Sequence, residues 1–247
     1  MSELNAVVTG GAVRIGRAIA LRMAVTGWNV CIHYGQSERE AKQTVSELEL
    51  LGVKATCVSA DLNQPVSAAK QVFEHASDKL GPVTCLINNA AIFREGTLAS
   101  TTESEWDAHF ETNVKAPFFL SQEFARQCRK GGSIINLIDW RGTHPVPGHV
   151  AYAQTKSALV AQTRLLAQEL GPDIRVNGIA PGAILPPPGK GQEVLETRAV
   201  RNPLRRVGAA DDITRTVMFL LESPFITGEI VHVSGGEHLA AGKSYGA

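Results

Sequence analysis

Tyr152 and Lys156 stand four residues apart near the middle of the chain, and Asp139 lies thirteen residues before the tyrosine. On a helix, side chains four residues apart lie on the same face, so the phenol and the ammonium group are expected to be neighbours. A nearby positive charge favours phenolate over phenol, which makes the tyrosine a better proton donor. Such a pair could protonate a carbonyl or an imine while another group delivers hydride. A Tyr-x-x-x-Lys spacing is common by chance on helix surfaces, so its meaning depends on the rest of the chain.

Short apolar runs alternate with longer amphipathic stretches, and this alternation predicts the elements that position the pair. Strands are predicted over residues 6–8, 28–33, 54–59, 83–87, 133–138, 174–179 and 230–233. Helices are predicted over residues 14–25, 38–51, 66–80, 102–130, 151–170, 192–200 and 210–221. Tyr152 and Lys156 fall in the helix after the fifth strand, and Asp139 directly follows that strand.

This alternation is typical of an α/β fold in which crossover helices join parallel strands. Apolar strands such as Thr84-Cys85-Leu86-Ile87 suit a sheet that is buried on both faces. We therefore predict a single doubly wound Rossmann-type domain over residues 1–247, with a seven-stranded parallel sheet flanked by helices. Ligands bind such sheets beyond the carboxyl ends of the strands, so the loop after each strand is a candidate part of the site.

Composition excludes several classes of function. Hydrophobic residues make up 44% of the 247 residues and charged residues 19%, as in a globular protein with a substantial core. Lysine plus arginine and aspartate plus glutamate both number 24, so no charge excess indicates nucleic acid or an anionic membrane as a partner. The cysteines are far apart and predict free thiols in a reducing compartment. Without a signal-peptide pattern or a bilayer-spanning apolar stretch, the sequence predicts a cytoplasmic protein.

The first loop, Thr9-Gly10-Gly11-Ala12-Val13-Arg14-Ile15-Gly16, leads straight into a predicted helix. Glycines allow backbone to approach a pyrophosphate, and a helix N-terminus offers free N–H groups and a positive dipole end. The spacing differs from G-x-G-x-x-G, and the alternative is a glycine-rich turn without a ligand. The position in the first βα unit favours a dinucleotide, with Gly10, Arg14 and Ile15 as candidate contacts.

The second strand ends in His33-Tyr34-Gly35-Gln36-Ser37, which contains no acid. An acidic residue there would bind the adenosine ribose and repel a 2′-phosphate. Arg14 could instead pair with that phosphate, with Ser37 adding a donor, so NADP is favoured over NAD. His33 and Tyr34 are further candidate contacts. The alternative for Arg14 is an ordinary exposed residue in the first turn of a helix.

Two further loops could contact the nucleotide. After the third strand, Asp61 and Leu62 offer a short polar side chain and an apolar wall that suit an adenine edge. After the fourth strand, Asn89 and Ala90 lie in a small, amide-rich segment where backbone could pass close to a ribose. The alternatives are a helix N-cap region for Asp61 and a simple turn for the amide-rich segment.

These segments occur in a fixed order: T-G-x-x-x-x-x-G, N-N-A, a central asparagine, Y-x-x-x-K and P-G. From Val7 to Gly236 the chain resembles the short-chain dehydrogenase/reductase family. The resemblance implies one Rossmann-type domain, a nicotinamide cofactor, a homotetramer and a substrate lid, here over about residues 183–207. It also implies roles for single residues. Tyr152 would donate the proton, Lys156 would lower its pKa and bind the nicotinamide ribose, and Asn113 would hold a relay water. Near the nicotinamide would lie Pro181, Gly182 and Ile184.

The chain departs from most of that family at two positions. Arg14 replaces a glycine of the first loop, and Asp139 replaces a catalytic serine. Both changes resemble the pteridine reductases, which also share H-Y after the second strand and N-N-A-x-x-F. In that group the phenylalanine, here Phe93, stacks on the pterin. Ala91 differs from the serine that several members have, so the substrate pose could differ.

We therefore predict an NADPH-dependent reductase that converts a dihydropterin, of the dihydrobiopterin or dihydromonapterin type, to a tetrahydropterin. The candidate substrate-binding residues are Arg14, Phe93, Asp139 and Tyr152. One alternative is a carbonyl reductase of the same family, such as a 3-oxoacyl thioester reductase. Another is a catalytically silent NADP-binding sensor. Near the predicted site, Trp140 could wall the pocket or pack in the core. His144 and His149 have no third ligand at metal-like spacing, so no metal site is predicted.

Overall fold

The computed structural model of the chain describes residues 4–128, 130–186, 189, 191, 193–200 and 202–240, and it is built around one parallel β-sheet. The strands are β1 (Asn5–Thr9), β2 (Asn29–Tyr34), β3 (Ala55–Ser59), β4 (Cys85–Asn88), β5 (Gly132–Leu137), β6 (Ile174–Pro181) and β7 (Ile230–Val233). They pair in the order β3-β2-β1-β4-β5-β6-β7.

Helices connect the strands and pack on the sheet. They are α1 (Arg14–Val25), α2 (Glu38–Leu50), α3 (Pro65–Leu80), α4 (Glu103–Phe110), α5 (Ala116–Gln127), α6 (Val150–Leu170), α7 (Glu193–Ala199), α8 (Ala210–Glu222) and α9 (Glu237–Ala240). A π-helical turn over Glu111–Lys115 joins α4 to α5, and a 3-10 turn over Trp140–Gly142 follows β5.

Apolar side chains form a core on each face of the sheet. On one face, Phe73 of α3 meets Phe124 of α5 with 6.1 Å between ring centroids. On the other face, Ile19, Leu48 and Val217 come from α1, α2 and α8. Every residue of β1 is buried between these two layers. Burial on both sides is the reason that the strands read as continuous apolar runs in the sequence.

The strand order creates a crevice beside β1. The chain moves outward from β1 to β3 on one side of the sheet and from β4 to β7 on the other. The loops that leave the carboxyl ends of β1 and β4 therefore diverge, and such a switch point is where doubly wound folds bind ligands. The sequence motifs after Thr9 and Asn88 both lie at this crevice.

The predicted doubly wound α/β fold with a seven-stranded parallel sheet is confirmed. Apart from shifts at the ends of elements and the 3-10 turn after β5, two helical regions differ from the prediction. The helical region predicted over 102–130 is interrupted by the π-helical turn, and its last helix ends at Gln127. The short helix α9 was not predicted, because four residues carry too little periodicity to be recognised.

The extent of a single domain over 1–247 and the lid over 183–207 stay predictions. Residues 187, 188, 190, 192 and 201 of the predicted lid, which include the start of the helix predicted over 192–200, lie outside the described residues. Within the part of the chain that the structure describes, no helix is long and apolar enough to cross a membrane.

Candidate active site

In the loop between β1 and α1, the backbone of Gly10 lies close to that of Ala90 and to the start of α1. Gly10 has a φ of 60°, and a Cβ there would lie 3.2 Å from the Cα of Ala90. A Cβ at Gly16 would lie 2.2 Å from the carbonyl oxygen of Gly10, so glycine is required for α1 to approach the loop. Val13, which precedes α1, has no side-chain acceptor, so the first N–H groups of the helix can bind an anion. This cradle fits the pyrophosphate of a dinucleotide.

The amide-rich segment after β4 supports that loop. The side chain of Asn89 donates to the carbonyl oxygen of Thr9 at 2.8 Å, and the backbone N–H of Ala90 donates to the Thr9 hydroxyl at 3.0 Å. The fourth strand is thereby tied to the first at their carboxyl ends. Asn89 acts here through its contact with the loop, and the half-buried Ala90 presents a small surface beside it.

His33 joins three elements through its ring. The backbone N–H of Gly10 donates to Nδ1 at 3.3 Å, and Nε2 lies 3.0 Å from the carbonyl oxygen of Ala60. Because Nδ1 accepts a hydrogen bond, the proton is assigned to Nε2. Burial lowers the pKa of His33 more than the Ala60 bond raises it, so the imidazole is neutral. Both ring nitrogens are thus used within the protein, and contact with a cofactor is left to the backbone or ring face.

The other residues predicted near the nucleotide lie at the ends of β2 and β3. Tyr34 is half-buried against the core, and Ser37 immediately precedes α2. Asp61 accepts a hydrogen bond from the backbone N–H of Asn63 at 2.9 Å, and Leu62 is buried. The segment from the end of β2 to Ser37 contains no carboxylate that would repel a 2′-phosphate.

Arg14 combines a strained backbone with a long-range contact. Its φ is 55°, in the left-handed region that costs a non-glycine residue about 1–2 kcal/mol. Its Nη2 donates to the carbonyl oxygen of Pro186 at 2.6 Å, so the side chain joins the first loop to the segment after β6. The positive φ agrees with the glycine that most members of the resembled family have at this position.

The strain at Arg14 gives a testable order of stabilities. The Arg14→Gly protein is expected to be more stable than the Arg14→Ala protein by about 1 kcal/mol. Both residues take the same positive φ, but only alanine has a Cβ that makes this φ strained. Helix propensity alone predicts the reverse order. Urea unfolding followed by circular dichroism measures the difference. The same pair at Arg17, inside α1, is the control and should show alanine as the more stable variant. Equal stabilities at position 14 would contradict the strain.

Tyr152 and Lys156 lie one turn apart on α6, close to Asp139. The hydroxyl of Tyr152 donates to Oδ2 of Asp139 at 3.1 Å. The Nζ of Lys156 lies 5.7 Å from the centroid of the Tyr152 ring. Tyr152 is 6% exposed and Lys156 is 2% exposed, so the three charged or titratable groups interact in a largely water-free setting.

Lys156 is a buried cation with few polar neighbours. Its Nζ donates to the carbonyl oxygen of Leu137 at 2.8 Å. Burial lowers the pKa of Lys156 to about 8, although the charge of Asp139 acts in the opposite direction. The ammonium is therefore charged at neutral pH and loses its proton just above it.

The pH dependence of stability tests this buried charge. The folded pKa of about 8 lies below the ordinary 10.5, so the unfolded protein binds the Lys156 proton more tightly. The contribution of Lys156 to the stability of the cofactor-free protein should therefore rise with pH between those two values, by at most about 1.4 kcal/mol per pH unit. Burial raises the pKa of the thiols, which acts in the opposite direction in every variant, so the rise is read as the stability of wild type minus that of Lys156→Met. The difference between wild type and Lys79→Met, at an exposed lysine, should show no such rise. Denaturant unfolding on either side of the window is the measurement, and an identical pH trend in wild type and Lys156→Met would contradict it.

Asn113 lies in the π-helical turn and is buried. Its side chain accepts from the backbone N–H of Ile92 at 2.9 Å and donates to the carbonyl oxygen of Ile92 at 3.0 Å. It also donates to the hydroxyl of Thr155 at 3.1 Å. Asn113 therefore fixes the loop after β4 to α6. Its predicted role in holding a water stays a prediction, although π-helical turns are frequent at functional sites.

The turn after β6 is held by α9. Pro181 ends the strand, and a Cβ at Gly182 would lie 2.8 Å from Oε2 of Glu237. The backbone N–H of Ala183 donates to the same oxygen at 3.1 Å, and Ile184 is buried. The helix that the sequence did not predict thus supplies the carboxylate that fixes the predicted nicotinamide-binding turn.

Phe93 faces Tyr152 and His149. Its ring centroid is 4.7 Å from that of Tyr152 in an edge-on arrangement, and 4.5 Å from that of His149 in a stacked one. Burial, followed by the charge of Arg141, lowers the pKa of His149, so the stacked imidazole is neutral. Phe93 is therefore brought to the Asp139–Tyr152 pair, as its predicted role requires.

Sequence reasoning missed Arg141 and His149 as members of this cluster. The guanidinium carbon of Arg141 lies 5.9 Å from the Phe93 ring centroid, and its Nη1 lies 3.3 Å from Oδ1 of Asp139. The Asp-x-Arg spacing at the end of a strand is a signal that could have identified Arg141. No comparable signal marks His149, because its contact with Phe93 joins two loops that are distant in sequence.

His144 has a different environment from His149. Its ring centroid lies 5.5 Å from that of His238 and 6.0 Å from that of His232. Among the residues that the structure describes, no group of three or more His, Cys, Asp or Glu side chains is placed to hold a metal ion. Trp140, beside this loop, is fully buried and belongs to the core.

Known proteins resemble this chain over nearly its full length. A family model described as enoyl-(acyl carrier protein) reductase matches residues 11–238. A short-chain type dehydrogenase/reductase from Picea abies is 36% identical, over 94% of this chain and 91% of the relative. The 3-oxoacyl-(acyl-carrier-protein) reductase FabG of Staphylococcus epidermidis is 33% identical, over 95% of this chain and 99% of the relative. The crystal structure of FolM alternative dihydrofolate reductase 1 from Brucella canis, complexed with NADP, is 36% identical with a TM-score of 0.89, over 96% and 94% of the two chains.

Proposed function

This chain belongs to the short-chain dehydrogenase/reductase family, and we propose that it uses NADPH to reduce a dihydropterin to a tetrahydropterin. The substrate is of the dihydrobiopterin or dihydromonapterin type. The observation that carries the proposal is the hydrogen bond from Tyr152 to Asp139. An ionised carboxylate accepts from the N–H groups of a heterocycle but cannot donate to a ketone oxygen, as a serine would.

The chain is an NADP-dependent oxidoreductase, like the NADP-complexed FolM structure that it resembles. The glycine-rich loop and the N-terminus of α1 fit the pyrophosphate, and Arg14 with Ser37 would bind the 2′-phosphate. NADPH, when bound, supplies the hydride. The other proposed cofactor contacts are Gly10, Ile15, His33, Tyr34, Asp61, Leu62, Asn89, Ala90, Tyr152, Lys156, Pro181, Gly182 and Ile184.

The protein's own groups carry the proton in this proposal. Tyr152 donates its phenol proton to ring atom N5 while C6 of the same C=N bond accepts hydride, so the bond becomes CH–NH. Lys156 stabilises the phenolate that remains, because its buried ammonium is charged at neutral pH. Asn113 holds a water through which solvent returns a proton to Tyr152.

Phe93 offers a flat apolar surface for the pterin ring. Planar aromatic groups stack on such a surface in offset geometry. The orientation of the Phe93 ring is fixed by the stacking of His149 on it and by its edge contact with Tyr152. The proposed substrate-binding set is Phe93, Asp139 and Tyr152, together with Arg14 as the sequence predicts.

A 3-oxoacyl thioester reductase is the second candidate function. The FabG relative, at 33% identity over 95% of this chain, supports it about as strongly as the FolM structure supports the first. Tyr152 could protonate a ketone oxygen, but Asp139 offers that oxygen no second donor while it is ionised. This difference is the reason that we place the pterin first.

Loss of NADPH absorbance tests the proposal directly. Purified protein is incubated with NADPH and either dihydrobiopterin, dihydromonapterin or an acetoacetyl thioester. Turnover of a dihydropterin is expected. No turnover of either pterin would overturn the proposal, and rapid turnover of the thioester alone would establish the second candidate.

We also propose a cytoplasmic homotetramer with a substrate lid over residues 183–207, as the family resemblance implies. Its partners are small molecules, with neither nucleic acid nor a membrane among them. Light scattering coupled to size exclusion measures the oligomeric state, and a monomeric mass would contradict the tetramer.

A further inference from the structure

Arg141 is a buried cation at the centre of the candidate site. Its side chain is 11% exposed, and its Nη1 lies 3.3 and 3.4 Å from the two carboxylate oxygens of Asp139. The backbone N–H of Arg141 also donates to Oδ1 of Asp139, at 2.8 Å. Among the described residues, Nε of Arg141 has no hydrogen-bond partner. The carboxylate of Asp139, together with the ring of Trp140 whose centroid lies 5.0 Å from the guanidinium carbon, offsets the burial of this charge.

Tyr152 approaches the same carboxylate from α6. Its hydroxyl is 3.1 Å from Oδ2 of Asp139. When a phenol at this distance gives up its proton, a phenolate oxygen faces a carboxylate oxygen, and two like charges disfavour that state. A tyrosine beside an ionised aspartate is therefore a poor proton donor unless a cation offsets the aspartate.

We infer that Arg141 is a positioning residue that neutralises the charge of Asp139 and so allows Tyr152 to give up its proton. The inference rests on the proposed role of Tyr152. In that step the O–H bond of Tyr152 breaks, and the proton binds the substrate atom next to the carbon that accepts hydride. NADPH is oxidised to NADP⁺, and solvent returns a proton to the phenolate. With Asp139 offset by Arg141, Lys156 is left to stabilise the phenolate.

The other titratable groups around Tyr152 do not replace Arg141. Lys156 faces the ring from α6, with its Nζ 5.7 Å from the centroid. The ring of His149 lies 6.4 Å from that of Tyr152. Burial and then the charge of Arg141 lower the pKa of His149, and together they exceed the backbone hydrogen bond with Arg94 and the charges of Glu95 and Asp139, which raise it, so His149 adds no charge at neutral pH. After proton transfer, two cations therefore balance two anions: Arg141 balances the carboxylate of Asp139, and Lys156 balances the phenolate of Tyr152.

A double-mutant cycle separates this role from a structural one. Arg141→Met is made in the wild-type protein and in Asp139→Asn, and kcat/KM is measured with the dihydropterin or the thioester, whichever the wild type reduces. With Asp139 present, the loss should be about tenfold to a hundredfold. With asparagine there, the same change should cost less than about threefold, because no anion is left to offset. Arg141→Lys should recover part of the lost activity, and Arg126→Met, at an exposed ion pair on α5, is the control.

The pH profile supplies a signature that a packing role would not give. In Arg141→Met the size of the loss should depend on pH, because it arises from the repulsion of like charges on Tyr152 and Asp139, whereas a loss of packing would be the same at every pH. A second readout needs neither substrate nor cofactor. The ultraviolet absorbance of tyrosinate, taken as the difference from Tyr152→Phe, should appear at higher pH in Arg141→Met than in wild type.

The outcomes are distinct. An equal loss from Arg141→Met in both backgrounds at every pH, with an unchanged tyrosinate titration, would overturn the inference. Failure of the wild type to reduce a dihydropterin counts against the proposed substrate only, since the cycle can be run with the thioester. If neither substrate is reduced, the tyrosinate titration alone decides, and an unshifted titration overturns the role of Arg141.

Discussion

Replacing Tyr152 by phenylalanine is expected to lower kcat by about a hundredfold to ten-thousandfold, the range of general acid catalysis. The change removes one oxygen and keeps the ring that packs at 4.7 Å against Phe93, so the loss reports on the hydroxyl. Steady-state oxidation of NADPH at saturating substrate measures kcat.

The binding of NADPH to the same variant is the internal control. Cofactor fluorescence should show affinity within about threefold of wild type, because most of the proposed cofactor contacts lie at the ends of β1 to β4. A variant that binds NADPH and keeps more than a tenth of the activity would exclude Tyr152 as the proton donor. A wild type that binds NADPH and reduces nothing would instead support the silent sensor.

Asp139→Ser is expected to change the substrate preference. Turnover of a dihydropterin should fall by about a hundredfold, because the charged carboxylate with two acceptor oxygens is replaced by one neutral hydroxyl on a shorter side chain. Turnover of an acetoacetyl thioester should hold or rise, because serine donates to a carbonyl oxygen and carries no charge to repel it. The ratio of the two kcat/KM values, measured in one preparation, removes errors in active protein concentration.

Stability has to be followed in the same experiment. Removing Asp139 leaves the Arg141 guanidinium buried without its counter-charge. In proteins, removing one partner of a fully buried ion pair lowers stability by about 3–5 kcal/mol. Both side chains keep some exposure, so a smaller loss is expected here. Asp139→Asn, of nearly the same shape, is the matched control and should show slower but measurable pterin turnover without a gain in thioester turnover. An unchanged ratio in Asp139→Ser would show that residue 139 does not select the substrate.

Much of the fold could be predicted because its determinants are local. Apolar runs of four to eight residues separated by amphipathic helices specify parallel strands, and burial on both faces makes those runs visible. The interruption of the helix by Glu111–Lys115 was not visible, because a π-helical turn changes the hydrogen-bond pattern without changing the hydrophobic pattern strongly. The helix α9 was missed because its four residues are defined by their packing, through Glu237, against the turn after β6.

The residues of the candidate site could be predicted from a spacing on one element, from a position at the end of a strand, or from the motifs that carry the family resemblance, as for Phe93 and Asn113. Tyr152 and Lys156 were found through their spacing because both are on α6. Asp139 was found through its position at the end of β5. His149 could not be found, because its contact with Phe93 exists only after two loops pack together. His33 was predicted as a cofactor contact, but the use of its ring nitrogens by Gly10 and Ala60 was not, because those residues come from two other elements.

The sequence by itself determined that a phenol and an ammonium group would share a helix face near an acid. The reason is that helix periodicity, and the position of a residue at the end of a strand along the chain, are local properties. Only the tertiary structure decided how the acid is used. It placed Tyr152 on one carboxylate oxygen of Asp139 and the buried guanidinium of Arg141 against both oxygens. The physical reason is that charge balance in a water-poor site depends on distances of a few ångströms between elements, and no spacing along the chain specifies those distances.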